Sequence, residues 1–357
     1  MKNFLIFIIS VSVLFSATGC GKRSDPTFGG DGDFTSSSGS VFPENGSQPG
    51  QTVPPVSDNP GEEVAPSDFY NKMQTDFRPI AVMIDNDEKS SRPQLGLETA
   101  YLIYEMVVEG SATRFMALFK DANMKKIGPV RSSRHYFLDY VMENDARYIH
   151  SGWSDRAASE IRNYGINNIN GLYDNIFWRD RTYDNTWHNL YTGFDKAEAL
   201  MKEKGYRETS DVKLFEYHKN PVKIQGNEAS LLYMFYAPFY EVEFRYNPET
   251  TLYERYINGE PHKSQTGEIL TAENIIVYDL LNVPLNDGIY APRQNINTVG
   301  SGEGYYLSKG KAVKITWKKT SRKSPTEYTL QDGVKLILNP GQTYIQIVPS
   351  KENYKIS

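Results

Sequence analysis

The pattern of apolar and polar residues changes at about residue 70, where short apolar runs begin to alternate with stretches of helical spacing. The runs RPIAVMIDN, AYLIYEMVVEG, TRFMALFKD and ARYIHSGW are typical of buried strands. The periodicity of SRHYFLDYVMENDA predicts a helix near 131–144. SDRAASEIRNYG and GFDKAEALMKEKGY, each ended by a glycine, predict two more helices. Strands that alternate with helices predict an α/β domain over residues 70–208.

The second half of the chain has a different pattern. SLLYMFYAPFYEVEFRYN is rich in aromatic and β-branched residues, and TYIQIVP reads as a further strand. TEYTLQDGVKLILN predicts a hairpin that turns at Asp332-Gly333, with Val334, Leu336 and Leu338 on one face. Residues 212–350 are therefore predicted to be mostly β. The expected fold class is an α/β N-terminal domain plus a mostly-β C-terminal domain.

The first residues have the pattern of a lipoprotein signal peptide. Lys2 precedes an apolar run from Phe4 to Phe15, which is too short to span a bilayer. The run leads to Ala17-Thr18-Gly19-Cys20, which resembles the bacterial lipobox, and Cys20 is the only cysteine of the chain. We predict cleavage after residue 19 and attachment of lipid to Cys20. The alternative is an ordinary secretory peptide with an incidental cysteine.

Residues 20–69 are predicted to be a lipidated, disordered tether. Between residues 24 and 66, 21 of 43 residues are Gly, Ser or Pro, and seven are acidic with no Lys or Arg. Such a segment buries too little apolar surface to offset the entropy of ordering it. As a flexible coil it would span roughly 35 Å. The predicted location is the outer face of a cytoplasmic membrane, with the acyl chains as the anchor.

Charge and cysteine content exclude several classes of function. The net charge is −5, and the acidic tether accounts for it, so the folded part is close to neutral. A near-neutral domain argues against a nucleic-acid partner, which would require a basic surface. One cysteine allows no intramolecular disulfide. The five histidines show no metal-ligand spacing, and no cofactor motif is present, so neither a metal nor a cofactor is expected.

The segment GPVRSSRHY is the first candidate for a binding site. If a helix begins near Arg131, Arg131 and Arg134 share a face beside free backbone N–H groups, with Ser132 between them. That combination predicts a site for a carboxylate or phosphate. The alternative is that an arginine pairs with a nearby carboxylate and the serines only cap the helix.

Further polar residues fall at or near the ends of predicted strands, where clefts form in α/β domains. Each also has a structural reading: Glu109 and Arg114 would bridge neighbouring strands, and His150 and His188 would be buried and hydrogen-bonded. The remaining candidates for a ligand cleft are Asp85, Asn86, Arg92, Glu105, Glu109, Arg114, His150, Arg179, His188 and Asn189.

Sequence alone gives no catalytic signature. Ser132 or Ser133, His150 and Asp85 can be combined on paper into a triad, but no nucleophile elbow surrounds either serine. A separate cluster, Lys318, Lys319, Arg322 and Lys323, is interpreted either as a solvated loop or as a contact for anionic wall polymer or lipid headgroups. A structural role for this loop in assembly is a third possibility.

The motifs together resemble the YerB-like lipoprotein family. The N-terminal motifs are RPIAVMIDN, RPQLGL, YEMVVEG, TRFMALF, KIGPVRSSR, FWRD and HNLY; the C-terminal ones include INGEPHKSQTGEILTAENIIV and LNPGQTYIQIVP. Trp187 departs from the proline that the family pattern usually has before the histidine. The resemblance implies a two-domain surface lipoprotein of Gram-positive type with no established activity.

These observations lead to an expected function without catalysis. The chain is expected to be an extracytoplasmic binding or accessory protein, anchored to the membrane through Cys20. Its cleft would hold an anionic ligand, such as a peptidoglycan or teichoic-acid fragment, or a cell-wall synthesis protein. The alternative is a hydrolase or transferase that acts on wall material.

Overall fold

The computed structural model describes residues 65–357, except 88, 111, 122, 238, 287 and 289–291. The signal peptide, Cys20 and almost all of the predicted tether lie outside the described residues. Residues Glu62–Ser357 form one compact unit. Four α-helices occur among the described residues: α1 (Asp68–Met73), α2 (Phe137–Glu143), α3 (Asp155–Tyr164) and α4 (Phe194–Glu203). None of them is long and apolar enough to cross a bilayer.

The strands of the N-terminal half are β1 (Ile80–Asn86), β2 (Leu102–Val107), β3 (Thr113–Phe119), β4 (Arg147–His150), β5 (Asn168–Asn170), β6 (Trp178–Arg179) and β7 (Leu190–Tyr191). Those of the second half are β8 (Glu216–Tyr217), β9 (Asn227–Glu228), β10 (Leu231–Ala237), β11 (Tyr240–Asn247), β12 (Leu252–Ile257), β13 (Glu260–Pro261), β14 (Thr271–Ala272), β15 (Asn274–Asp279), β16 (Asn282–Pro284), β17 (Gln294–Ile296), β18 (Gly300–Ser308), β19 (Lys311–Lys319), β20 (Glu327–Leu330), β21 (Ile337–Leu338), β22 (Thr343–Val348) and β23 (Tyr354–Ile356). All four helices belong to the N-terminal half, so an α/β N-terminal part and a mostly-β C-terminal part are confirmed.

One mixed sheet of eleven strands joins the two halves. Its order is β20-β19-β18-β15-β22-β2-β3-β1-β4-β5, with β9 paired to β19. The join is made by β22, which runs parallel to both β15 and β2. A second sheet of six strands, β13-β12-β11-β10-β23 with β14 on β12, is formed by the C-terminal half alone.

Both faces of the large sheet are covered, which explains the continuous apolar runs of its central strands. On one face, residues such as Ile84 and Phe115 pack with α4 and with residues of the six-stranded sheet such as Phe244. On the other face, Met83 and Met116 pack with α2 and α3. Seven consecutive residues of β1 are buried for this reason.

The predicted start and end of α3 are confirmed. Ser154 is the N-cap of α3, its hydroxyl accepting from the N–H of Ala157, and Gly165 ends the helix in the left-handed conformation. α1 begins at Asp68, two residues before the predicted boundary of the α/β domain. The hairpin at Asp332-Gly333 is reduced to one bridge, between Thr329 and Lys335.

Three predictions of local structure are wrong. The helix expected near 131–144 begins only at Phe137, because residues 127–133 form isolated bridges with other segments and stay extended. Arg131 and Arg134 therefore do not share a helix face. Val334 is exposed and does not join Leu336 and Leu338 in the core.

The basic loop that follows β19 is not a solvated cluster. Lys319 is buried against Glu143 of α2 at 2.6 Å, and Arg322 pairs with Asp139 and Glu160. These contacts tie the C-terminal half to α2 and α3 and neutralise two of the four cations. The interpretation of this loop as a contact for anionic polymer or headgroups is therefore wrong for Lys319 and Arg322.

Candidate functional site

The predicted strand ends meet at one edge of the large sheet, which we call the carboxyl edge. Strands β1, β2, β4, β5, β15 and β22 all run toward it, since β3 is antiparallel to both β1 and β2. Asp85 and Asn86 end β1, and His150 ends β4. The antiparallel β3 begins at the same edge and brings Arg114 opposite Asp85. Ligand crevices commonly form at such an edge.

A buried acid–histidine pair lies at the end of β1. The Nδ1–H of His188 donates to Oδ2 of Asp85 at 2.8 Å, and Nε of Arg131 lies 2.7 Å from the same oxygen. Asp85 and His188 are almost completely buried, whereas Trp187 beside them is exposed. The guanidinium of Arg131 stacks over the ring of Trp187 at 4.3 Å. Among the described residues, Nε2 of His188 has no hydrogen-bond partner.

The charges of this cluster shift its pKa values in opposite directions. Burial would raise the pKa of Asp85, but the hydrogen bond from His188 and the charge of Arg131 outweigh burial and lower it. The hydrogen bond to Asp85 raises the pKa of His188. Burial and the nearby charge of Asp85 raise the pKa of Asp87, which is half-buried. The cluster therefore holds Asp85 ionised and favours the protonated form of His188.

Replacement of Asp85 by asparagine tests this assignment. We expect the pKa of His188 to fall in Asp85→Asn, because its main stabilising partner for the charged imidazolium loses its negative charge. A proton-NMR titration of the histidine ring signals in parent and variant measures the change. An unchanged His188 titration would show that the Asp85 contact does not control it.

A second cluster forms around Glu109, just beyond the end of β2. Arg114 lies 3.1 Å from Oε2 of Glu109, and Arg134 pairs with Oε1. Both arginines also donate to backbone carbonyls, of Ser132 and Ser133. Burial would raise the pKa of Glu109, but the two cations outweigh burial and lower it.

The predicted anion site at GPVRSSRHY is therefore corrected. Arg131 pairs with Asp85, Arg134 shares Glu109 with Arg114, and neither arginine lies at a helix N-terminus. The alternative that an arginine pairs with a nearby carboxylate agrees with these contacts, but Ser132 does not cap the helix, because its hydroxyl donates to the carbonyl of Ser151. A paired guanidinium still presents donors and a flat face to a ligand, but it carries little net attraction for an anion.

A third cluster, which we call the inter-sheet network, lies between the two sheets. Glu105 of β2 accepts from Nη2 of Arg255 on β12 at 2.7 Å, and both side chains are completely buried. The other oxygen of Glu105 accepts from the hydroxyls of Thr113 and Tyr240, each at 2.8 Å, and from the amide of Asn86. Glu105 and Asn86 are thus part of an internal network and do not face solvent.

Gln94 extends this network toward Asp85 and His262. Its amide nitrogen donates to the carbonyl of Asp85 at 2.9 Å, and its oxygen is 2.8 Å from Nε2 of His262. Nη1 of Arg92 donates to Oδ1 of Asn86 at 3.1 Å. Burial and the charge of Arg255 keep the pKa of His262 well below its usual value. The network joins the carboxyl edge to the six-stranded sheet.

The remaining predicted site residues have local structural roles. His150 is hydrogen-bonded by both ring nitrogens, to the carbonyl of Gly152 and to Asn168, and burial lowers its pKa to about 4. Ser132 donates to the carbonyl of Ser151. Arg179 donates to Asn189, whose own amide donates to the carbonyl of Asp184. The serine–histidine–aspartate combination is therefore not assembled, because Asp85 contacts His188 and not His150.

Sequence reasoning missed residues in both halves. Asp87, Gln94 and Trp187 lie beside predicted residues, whereas Arg255 and His262 belong to the C-terminal half. Arg255 carried a signal, since it takes an inward position between Tyr253 and Ile257 in an alternating strand. Nothing local distinguished His262. Among the described residues, no three His, Cys, Asp or Glu side chains are placed to hold a metal ion.

Two family profiles match the two halves of the chain. The profile described as "Protein of unknown function (DUF3048) N-terminal domain" matches residues 70–207, and the corresponding C-terminal domain matches residues 232–345. The protein named "Putative lipoprotein YerB" of Bacillus subtilis (strain 168) is 29% identical over 296 residues, which cover 79% of this chain and 85% of the relative.

A solved structure agrees with these matches. The crystal structure of the YerB protein from Bacillus subtilis superposes with a TM-score of 0.68 at 29% identity, covering 79% of this chain and 94% of the crystallised one. Fold, domain order and sequence thus agree across almost the whole described part of the chain. This chain belongs to the YerB-like family, which has two domains and no assigned function.

Proposed function

We propose that this chain is a lipid-anchored protein of the extracytoplasmic membrane face that binds a polar, uncharged ligand of the cell envelope without turning it over. The lipobox-like sequence before Cys20 supports the anchor, and a relative named as a lipoprotein supports it independently. The ligand site is proposed at the carboxyl edge, above Asp85, Arg131 and His188. The wall-facing location makes cell-wall material the expected source of the ligand.

The observation that carries the choice of ligand is the internal pairing of charges. Three carboxylates, of Asp85, Asp87 and Glu109, face the three guanidinium groups of Arg131, Arg114 and Arg134, so the charges of acids and arginines balance. Such a surface favours a ligand with hydroxyl or amide groups over a phosphate or a polyanion. The proposal therefore departs from the anionic ligand that the sequence favoured.

A hydrolase or transferase is the second candidate, and the Asp85–His188 pair is the observation in its favour. An imidazole oriented by a carboxylate is a common general base, and Asp87 with its raised pKa is a possible proton donor nearby. The pair is buried, however, and no described hydroxyl or thiol contacts His188. If the parent protein releases soluble fragments from purified wall material and His188→Gln does not, this candidate would be favoured.

The ligand is tested by thermal unfolding of the compact unit Glu62–Ser357. Muropeptides, glycan fragments, teichoic-acid fragments and phosphate are added separately, each far above its expected dissociation constant. A ligand at a hundred times its Kd stabilises the folded state by about 2.7 kcal/mol, which gives a clear shift in Tm. A shift with phosphate or teichoic acid alone would restore the anionic site.

Lipid anchoring is tested by replacing the cysteine. We expect Cys20→Ser to move the protein from the membrane fraction to the soluble extracytoplasmic fraction, because the acyl chains provide the stable attachment. Immunoblotting of the fractions, with incorporation of an alkyne-labelled fatty acid, measures the loss. A variant that stays in the membrane without lipid would contradict the lipoprotein assignment.

A further inference from the structure

Exposed apolar side chains are concentrated in the segment that follows β5 at the carboxyl edge. Leu172, Tyr173 and Trp187 are 59%, 73% and 57% exposed, and Tyr183 between them is also exposed. Single exposed apolar residues are ordinary on a protein surface, but a group of them in one short segment marks an interaction site.

Contacts with neighbouring loops make these side chains parts of one continuous surface. Arg131 stacks on Trp187, and the hydroxyl of the adjacent Ser132 borders Gly152. Leu172 borders Gly152 from the other side, since a Cβ placed there would lie 2.9 Å from the Ser132 hydroxyl and 3.9 Å from Leu172. The rings of Trp153 and Tyr173 are 5.8 Å apart. We call this surface the aromatic strip: Trp187, Arg131, Ser132, Trp153, Leu172 and Tyr173.

The chemistry of the aromatic strip selects one class of ligand. Exposed rings stand at both ends, while the middle offers a guanidinium and a hydroxyl. Because two carboxylates, Asp85 and Asp87, lie beside Arg131, the strip does not attract anions in the way that a row of free cations would. A pyranose ring has an apolar C–H face that packs on aromatic rings and an edge of hydroxyl and amide groups that hydrogen-bonds.

We infer that the aromatic strip binds a saccharide chain, with sugar rings stacked on Trp187 and Tyr173 and polar edges held by Arg131 and Ser132. This inference rests on the proposed function and narrows its ligand to the glycan of wall material. The buried Asp85 then acts as a positioning residue, since it holds Arg131 flat against Trp187. Gly152 is buried, and the absence of a side chain there lets Ser132 pack closely against it.

The inference is tested by binding of saccharides to the compact unit Glu62–Ser357. Calorimetry uses the tetramer and the hexamer of β-1,4-linked N-acetylglucosamine, which are both uncharged, and poly(glycerol phosphate), which is anionic and has no sugar rings. We expect the two saccharides to bind and poly(glycerol phosphate) not to bind. Trp187→Ala and Tyr173→Ala should each weaken saccharide binding at least tenfold, and Trp187→Phe should restore most of the loss.

A matched control comes from outside the strip. Phe239 is 89% exposed in the turn between β10 and β11, so Phe239→Ala removes a ring that is even more exposed than those of the strip and should leave saccharide affinity unchanged. The circular dichroism and Tm of each variant should match the parent, because the removed side chains are exposed. Equal losses in Phe239→Ala and Trp187→Ala would show non-specific stacking and would overturn the inference.

Failure of the inference and failure of the proposed function are distinguishable. Saccharide binding that survives Trp187→Ala and Tyr173→Ala would place the ligand elsewhere and leave the proposed function intact. No saccharide binding, together with a Tm shift from another envelope fragment, would overturn the saccharide and keep a binding protein. If neither saccharides nor other envelope fragments bind, and Cys20→Ser still releases the protein from the membrane, only the lipid anchor of the proposed function would remain. A protein partner on the aromatic strip would then be favoured.

Discussion

Arg255→Ala should unfold at much lower urea concentration than the parent, with a loss of about 3–5 kcal/mol in the free energy of unfolding. The reason is the carboxylate that the variant leaves behind. Glu105 and Arg255 are both completely buried between the two sheets, 2.7 Å apart. Without the guanidinium, Glu105 retains donors from Thr113 and Tyr240 but has no compensating charge.

The double variant Glu105→Gln/Arg255→Met distinguishes two contributions to the free energy of unfolding: the penalty for leaving Glu105 unpaired and the net stabilisation by the ion pair. Both charges are then absent, so we expect the double variant to be more stable than Arg255→Ala alone. Lys335→Ala supplies the exposed control, since Lys335 and Glu216 are 57% and 61% exposed and their ion pair, surrounded by water, should contribute little to stability. A loss below about 1.5 kcal/mol in Arg255→Ala, within the range of an ordinary hydrogen bond, would show that water reaches Glu105.

Local structure was largely predictable because its causes are local. The apolar runs of β1, β2 and β3 are continuous since both sheet faces are covered. Ser154 and Gly165 mark the ends of α3 through their own conformational preferences. The error in the predicted start of α2 has the same origin. Periodicity begins at Phe137, and the prediction extended it backwards over residues whose partners are distant strands.

The joining of the two halves was not predictable from the sequence. TYIQIVP predicts a strand, but nothing in those residues specifies insertion between β15 and β2, some 240 residues from Leu102 in the chain. Strand pairing depends on which edges remain available after the rest has folded. For the same reason, the contact of Lys319 and the basic loop after it with α2 could not be predicted from the sequence.

The candidate site, too, could be predicted from the sequence only in part. Polar residues at strand ends identified Asp85, Arg131 and His188 individually, and the topology brings them together. The sequence alone could not show that Arg131 and His188 both contact the carboxylate of Asp85, because Asp85 and His188 are 103 positions apart in the chain. This pairing is the reason that we propose an uncharged ligand in place of the anionic ligand predicted from the sequence.

Acid should destabilise the folded unit between pH 7.5 and pH 5.0 through buried neutral histidines. Burial lowers the pKa values of His135 and His150 to about 4, and burial also lowers the pKa of His262 well below its usual value. Below the unfolded pKa of about 6.5 the unfolded chain binds protons that the folded chain does not, so stability falls as the pH falls. His188 acts in the opposite direction, because its raised pKa gives stability that is lost as pH rises.

His150 isolates one of these contributions, since it is completely buried between Gly152 and Asn168. A pKa near 4 against 6.5 in the unfolded chain corresponds to about 2 kcal/mol lost between pH 7.5 and 5.0. We expect His150→Gln to reduce the pH dependence by about this amount, even if the variant is less stable throughout. Urea unfolding at both pH values measures it, with His218→Gln, outside these buried clusters, as the control. A His150→Gln profile parallel to that of the parent would mean that the imidazole is protonated in the folded state as readily as in the unfolded one.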